Sequence, residues 1–204
     1  MKRVKRIIGT LCILFPVFLF LICGVMLIGI SDEGEDGDPA HASGLGLSDK
    51  VREYAAFVGD TAAEYNIHEY EKYLLAIMMV ESGGEGNDPM QSLGNSGLTE
   101  EEKTPSESIK AAVAYFAMLL QKADTLGCDL DAVIQAYNYG AGYIDYVSVR
   151  GKAHTFQLSC DFASSKCGSR KVKYNNPAAI AQNGGWRYDY GNMFYVYLVK
   201  QFLE

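Results

Sequence analysis

Between Tyr73 and Val80 the chain carries no charge, and Tyr73, Leu74, Ile77 and Met78 recur at the spacing of one helix face. The run delivers a single carboxylate, Glu81, and halts at Ser82-Gly83-Gly84, where glycine supplies a helix C-terminal stop. Upstream, Ser48 is placed to cap a helix with an apolar stripe of Val51, Tyr54, Ala55, Val58, Ala62 and Tyr65. Downstream, Thr104-Pro105-Ser106-Glu107 combines an N-cap threonine, proline at the first helical position and glutamate at the third. The helix it opens carries Ile109, Val113, Phe116, Ala117 and Leu120, stops at Leu126-Gly127, and is expected to be the long central packing element. Asp129-Leu130-Asp131 starts another helix through Val133, Ile134 and Ala136, ending in Tyr137-Asn138-Tyr139-Gly140. Shorter helices are predicted over 141–149 and 155–163, a loop over 164–177, and an apolar terminal helix over 193–203. No hairpin signal emerges, so the predicted domain, 48–204, is mainly α.

The segment before it has a different pattern. Ile7 to Ile30 contains no Asp, Glu, Lys, Arg or His, and as a helix it would span about 36 Å, enough for a hydrocarbon core of about 30 Å. Residues 1–6 form a basic tip (Lys2, Arg3, Lys5, Arg6), and Asp32, Glu33, Glu35, Asp36 and Asp38 follow the span. The positive-inside rule therefore puts the N-terminus in the cytoplasm and the domain outside, at the cell membrane. A cleaved signal peptide is the competing reading, with Ala40-His41-Ala42 as a small-x-small site, but apolar regions of signal peptides run to only about 7–15 residues. Residues 31–47, acidic and glycine-containing, read as a flexible linker.

The net charge of −7, with no basic tract beyond the N-terminal tip, argues against nucleic acid as a partner. Only His41, His68 and His154 are present, and His68-Glu69 does not continue as a zinc-protease motif because Lys72 stands where the second histidine belongs. Neither a metal site nor a cofactor motif is expected; no glycine-rich nucleotide loop occurs. Cys160 and Cys167 lie close together in the extracytoplasmic part, which makes a small-loop disulfide a candidate and leaves Cys128 over. Sequence separation alone does not establish its geometry.

Candidate chemistry centres on Glu81. At the negative end of a helix and beside apolar mass, its ionised form is disfavoured by desolvation and by the dipole, so its pKa should rise. A carboxylic acid kept protonated near neutral pH is suited to protonating a leaving oxygen. A solvated glutamate in a helix-ending turn is the plain alternative. Seven residues on comes a second acid, Asp88, followed by Pro89-Met90-Gln91-Ser92 in a long polar loop, and such loops are often functional. Tyr137 and Asn138 are either ordinary helix-ending residues or the lining of a groove, one as a stacking face for sugar and the other as an amide for polar substituents.

Three stretches together, VESGG with the following NDPMQS, SIKAAVAYFA, and AYNYGAGYIDYV, resemble the lysozyme-like domain of CwlT-type cell-wall hydrolases of Gram-positive bacteria and their conjugative elements. More distantly, Glu81-Ser82 and Ala136-Tyr137-Asn138 resemble goose-type lysozymes and soluble lytic transglycosylases. The resemblance implies a helical lysozyme-like fold acting on peptidoglycan glycan strands. Glu81 then matches the catalytic glutamate and Asp88 the second acidic position, while Ser82, Gln91, Ser92, Tyr137 and Asn138 fall on substrate-binding motifs. It implies a muramidase, with a lytic transglycosylase and a non-catalytic wall-binding scaffold as alternatives. Wall-spanning secretion or conjugation machinery is a candidate partner. The turn Leu93-Gly94-Asn95-Ser96 departs from the Ser/Glu-rich turn of many relatives, and no cysteine-peptidase domain follows, so the glycan-cleaving half alone is expected.

Overall fold

A computed structural model of the chain describes residues 46–94 and 96–203. The apolar span 7–30 and most of the linker lie outside the described residues; among the described residues no helix is long and apolar enough to cross a membrane.

The polypeptide is mainly helical, and side-chain caps define several helix starts. The Ser48 hydroxyl accepts from the Val51 amide to open α1 (Asp49–Glu53). The backbone tightens at Tyr54, whose N–H reaches Val51 O, then resumes as α2 (Ala55–Glu64). The single predicted helix is thus two short ones. Val51, Val58 and Ala62 keep the expected buried stripe, but Tyr65 falls off it, 44% exposed. A 3-10 turn, His68–Tyr70, leads into α3 (Glu71–Glu81). Thr104 caps α4 (Pro105–Leu126) through the Glu107 amide, its hydroxyl also donating to the Glu107 carboxylate at 2.7 Å. Gly127 ends α4 in the left-handed region at φ 70°. Asp129 caps α5 (Leu130–Tyr139), and α6 (Gly142–Ser148) follows.

The long helix α4 is central, packing on α2, α5 and α6 through Ile109, Val113, Phe116 and Leu119, all fully buried. Each such side chain contributes on the order of 1.5–3 kcal/mol by leaving water.

The last third departs from the sequence reading. α7 runs over Phe156–Cys167, past the predicted end, and the assigned loop holds β1 (Lys171–Lys173). After α8 (Pro177–Asn183), β2 (Trp186–Tyr188) pairs antiparallel with β1, Lys171 opposite Tyr188 and Lys173 opposite Trp186. Three residues per strand are too few to show alternation. The start of α8 follows a familiar rule, with Asn176 capping and Pro177 at the first position. The terminal helix, α9 (Tyr195–Lys200), is shorter than 193–203 and buries Tyr195, Val196 and Val199 against the core.

The candidate disulfide is corrected as well. Cys160 and Cys167 both lie on α7 and are free, as is Cys128. Two helical turns separate the pair by about 10 Å along the axis, beyond the reach of a disulfide. The Cys160 thiol instead meets Met193 Sδ at 3.5 Å.

Candidate active site

Helix α3 positions Glu81 because Leu74, Ala76, Ile77 and Met78 are wholly buried, fixing the last turn against the core. The chain then turns sharply: Ser82 N–H and Gly83 N–H both return to Met78 O, and Gly83 and Gly84 adopt φ of 67° and 89°. Gly84 is required on a second count, since a Cβ there would sit 3.0 Å from the Val51 backbone nitrogen of α1. The Ser48 hydroxyl, which caps α1, donates to Gly83 O at 2.7 Å and locks the turn from the other side.

Helix α9 packs across α3 and brings the Tyr195 hydroxyl to Glu81, where it donates to Oε1 at 2.5 Å. Burial is the leading cause that pushes the Glu81 carboxyl up from about 4.5 to about 7. The Tyr195 hydrogen bond opposes the shift, and the negative charge of Asp88 adds to it. With Oε1 accepting from Tyr195, Oε2 is left as the candidate position for the proton. Burial also holds Tyr195 and Tyr137 well above the ordinary phenol range, so both are neutral donors beside the carboxyl.

Asp88 lies in the loop after Glu81, only 5% exposed. Its Oδ1 accepts from the Ser92 amide at 2.9 Å and from the Ser108 hydroxyl of α4 at 2.6 Å. Its Oδ2 accepts from the Leu93 amide at 3.0 Å and faces Lys103 Nζ at 3.7 Å. Lys103 is itself 8% exposed and also binds Glu100 at 2.7 Å. Between these anchors Met90 is fully buried. Its N–H reaches the Ser108 hydroxyl at 3.0 Å, and its carbonyl accepts from the Tyr137 hydroxyl at 2.9 Å.

The structure thus brings Glu81, Asp88 and Tyr137 together around the Met90 segment. The other predicted residues spend polar atoms on backbone. Ser82 Oγ donates to Pro89 O at 2.7 Å and accepts from Gly84 N–H, closing the first half of the loop. Ser92 Oγ donates to Ser108 O at 2.7 Å. Gln91 is exposed, holds φ at 50°, and folds its Nε2 back to Asp88 O at 3.0 Å. Asn138 Oδ1 accepts from Asn192 N–H at 2.6 Å, beside Gly191, where a Cβ would collide with the Asn138 and Tyr139 side chains.

Sequence reasoning missed Tyr195, Ser108 and Lys103. The aromatic density of the terminal helix was a signal for the first; nothing local marked the other two. Two shallow hollows along α4, both touching Met118 and Gln121, do not include Glu81. Among the described residues no group of three or more His, Cys, Asp or Glu is arranged to hold a metal.

A family model described as Lysozyme-like matches residues 48–203. The chain is 33% identical over 154 residues to the "uncharacterized membrane protein YocA" of Bacillus subtilis (strain 168), covering 75% of this chain and 68% of that one. It is 31% identical over 167 residues to the "bifunctional muramidase/DL-endopeptidase CwlT" of the same organism, covering 78% of this chain but only half of CwlT. Among solved structures, a chain from Staphylococcus aureus described as similar to a lipoprotein of the NLP/P60 family superposes with a TM-score of 0.76 at 46% identity. That match covers 79% of this chain and 55% of the other.

The raised Glu81 pKa links stability to pH. Between about 4.5 and about 7 the folded state binds the proton more tightly than the unfolded chain. The contribution of Glu81 to stability is therefore full below that window and lost as pH rises through it. Glu81→Gln should gain stability relative to the parent between pH 5 and pH 8, on the order of 1–3 kcal/mol, measured by urea denaturation. An unchanged difference at the two pH values would contradict the shift.

Proposed function

This chain belongs to the lysozyme-like family, in its CwlT-type branch, and we propose that it is a peptidoglycan hydrolase of the N-acetylmuramidase type. Its substrate would be the β-1,4 bond between N-acetylmuramic acid and N-acetylglucosamine in glycan strands. The observation that carries this reading is a carboxyl poised near neutrality, with one oxygen fixed by Tyr195 and the other free to deliver a proton.

In this mechanism Glu81 Oε2 donates its proton to the glycosidic oxygen as the bond from the anomeric carbon breaks, with positive charge developing on the sugar ring. A pKa of about 7 leaves a large protonated fraction at neutral pH and matches the pH at which a general acid works best. The Asp88 negative charge favours the protonated form of Glu81 before the step and the positively charged ring during it. Glu81, left as carboxylate, then takes the proton of an incoming water.

One observation favours a second reading, a lytic transglycosylase, in which the sugar's own hydroxyl attacks and Glu81 is the only carboxylate in the reaction. The Asp88 oxygens already accept from Ser92, Leu93 and Ser108, and Lys103 Nζ faces Oδ2 at 3.7 Å. Digestion of purified wall distinguishes the two, since hydrolysis leaves a reducing end and transglycosylation a 1,6-anhydro end. In either case Glu81→Gln, which preserves shape, should slow strand cleavage by at least 10²-fold, at the lower end of the usual worth of general acid catalysis of about 10²–10⁴. Full activity in a folded Glu81→Gln protein would overturn both. Wall binding by a parent that cleaves nothing would point to the scaffold alternative.

The anchor is part of the same proposal. The uncharged span 7–30 would hold the domain at the outer face of the cell membrane, and the name of YocA as a membrane protein supports a membrane location. The full chain should fractionate with membranes and resist extraction by high salt. Recovery of a soluble form beginning near Ser43 would contradict it.

A further inference from the structure

Asp88 poses a problem for any mechanism that asks it to react. A carboxylate offers about four lone-pair positions, and here three hydrogen-bond donors fill most of them while an ammonium faces the group at 3.7 Å. Oδ1 takes the Ser92 amide and the Ser108 hydroxyl; Oδ2 takes the Leu93 amide and faces the Lys103 ammonium. At 5% exposure the group has little open surface from which to approach an anomeric carbon or a water. Reacting would require it to leave a buried donor, the Leu93 amide or the Ser108 hydroxyl, unpaired, which is costly.

The same contacts show what the group does. Asp88 stands near the start of the loop between α3 and α4, Lys103 at its end, and Ser108 in the first turns of α4. Lys103 bridges Asp88 and Glu100, while Asn87 Nδ2 donates to Glu100 O at 2.9 Å, so the two loop arms are tied twice. Ser108 Oγ both donates to Asp88 and accepts from Met90 N–H, and Met90 O in turn receives the Tyr137 hydroxyl. We propose that Asp88 is a positioning residue: with Ser108 and Lys103 it clamps the loop onto α4, so that the Met90 backbone and the Tyr137 hydroxyl form a fixed wall beside Glu81. This rests on Glu81 as the proton donor. It leaves Glu81 as the single reacting carboxylate, first giving its proton to the leaving oxygen and then taking one from the hydroxyl that bonds to the anomeric carbon.

The test is a double-mutant cycle on glycan strands with the full chain, Asp88→Asn against Lys103→Met. If both residues serve one clamp, each single change lowers kcat about 10²-fold or less, as misplacement of a reacting group does, and the double variant is no worse than about threefold below the poorer single. Losses that multiply, with the parent active, would overturn the clamp. Azide supplies a second reading, because a small anionic nucleophile restores turnover where a reacting carboxylate has been deleted, leaving a glycosyl azide. Asp88→Ala should show no such rescue; a glycosyl azide product would overturn the proposal.

A pH profile adds what simple loosening of the loop would not. Tyr195, Tyr137 and Asp88 are the titratable groups that bear on Glu81, and the two phenols stay neutral. Asp88→Asn should therefore move the alkaline limb of kcat to lower pH. Loss of an acidic limb instead would assign Asp88 the base role. If the Asp88 variants fail to fold, Ser108→Ala against Lys103→Met replaces them in the cycle, with the same coupling expected. A parent that releases no fragments would refute the glycosidase reading alone, and the same cycle read as thermal midpoints would still decide the clamp, additive losses contradicting it.

Discussion

The hydrogen bond from Tyr195 to Glu81 joins residues 114 positions apart and depends on nearly every element around it. Helix α3 can present a carboxyl there only because its inner face is fully buried, and α9 can reach it only by packing across both α3 and α5. Desolvation at that junction is the main force on the carboxyl, and a neutral phenol is a partner that does not add charge. A lysine or arginine in place of Tyr195 would hold the carboxyl ionised and remove the proton. The pairing of a carboxyl with a buried phenol therefore ties the packing of the C-terminal helix directly to the state of the acid.

The second constraint is the long loop that follows. A polar segment can lie against a helical core only if its backbone groups are satisfied. Here the Asp88 and Ser108 side chains satisfy loop amides, and Met90 fills the apolar space beneath. The buried Asp88–Lys103 pair is weak evidence for stability, because desolvating two charges offsets most of their attraction. Its value is specificity of arrangement, since Lys103 holds Asp88 and Glu100 together across the loop. The loop also returns an electrostatic effect to Glu81, because the Asp88 charge helps keep it protonated.

Helical elements with local punctuation were legible in the sequence. Thr104-Pro105 with Glu107, and Asp129 ahead of Leu130, mark helix starts by side-chain contacts within three residues. The upward shift at Glu81 was legible from the apolar run that precedes it, with burial rather than the helix dipole as its leading cause. Contacts spanning tens of residues were not: Tyr195 on Glu81, Ser108 on Asp88 and Asn192 on Asn138 depend on tertiary packing. The β1–β2 pair was invisible because three-residue strands have no measurable period, while Asn176-Pro177 was a readable helix start that lay in a stretch assigned to loop. The cysteine spacing pointed to a bridge that the continuation of α7 through Cys167 rules out.

The central claim is that Glu81 is a carboxylic acid over much of the neutral range, made so by burial. The most direct measurement is a carbon-13 NMR titration of glutamate-labelled protein, with Glu81→Gln used to assign its carboxyl resonance. The account predicts a midpoint at about 7, well separated from the other glutamates. A midpoint between about 4 and 5, the ordinary range for a glutamate, would contradict it.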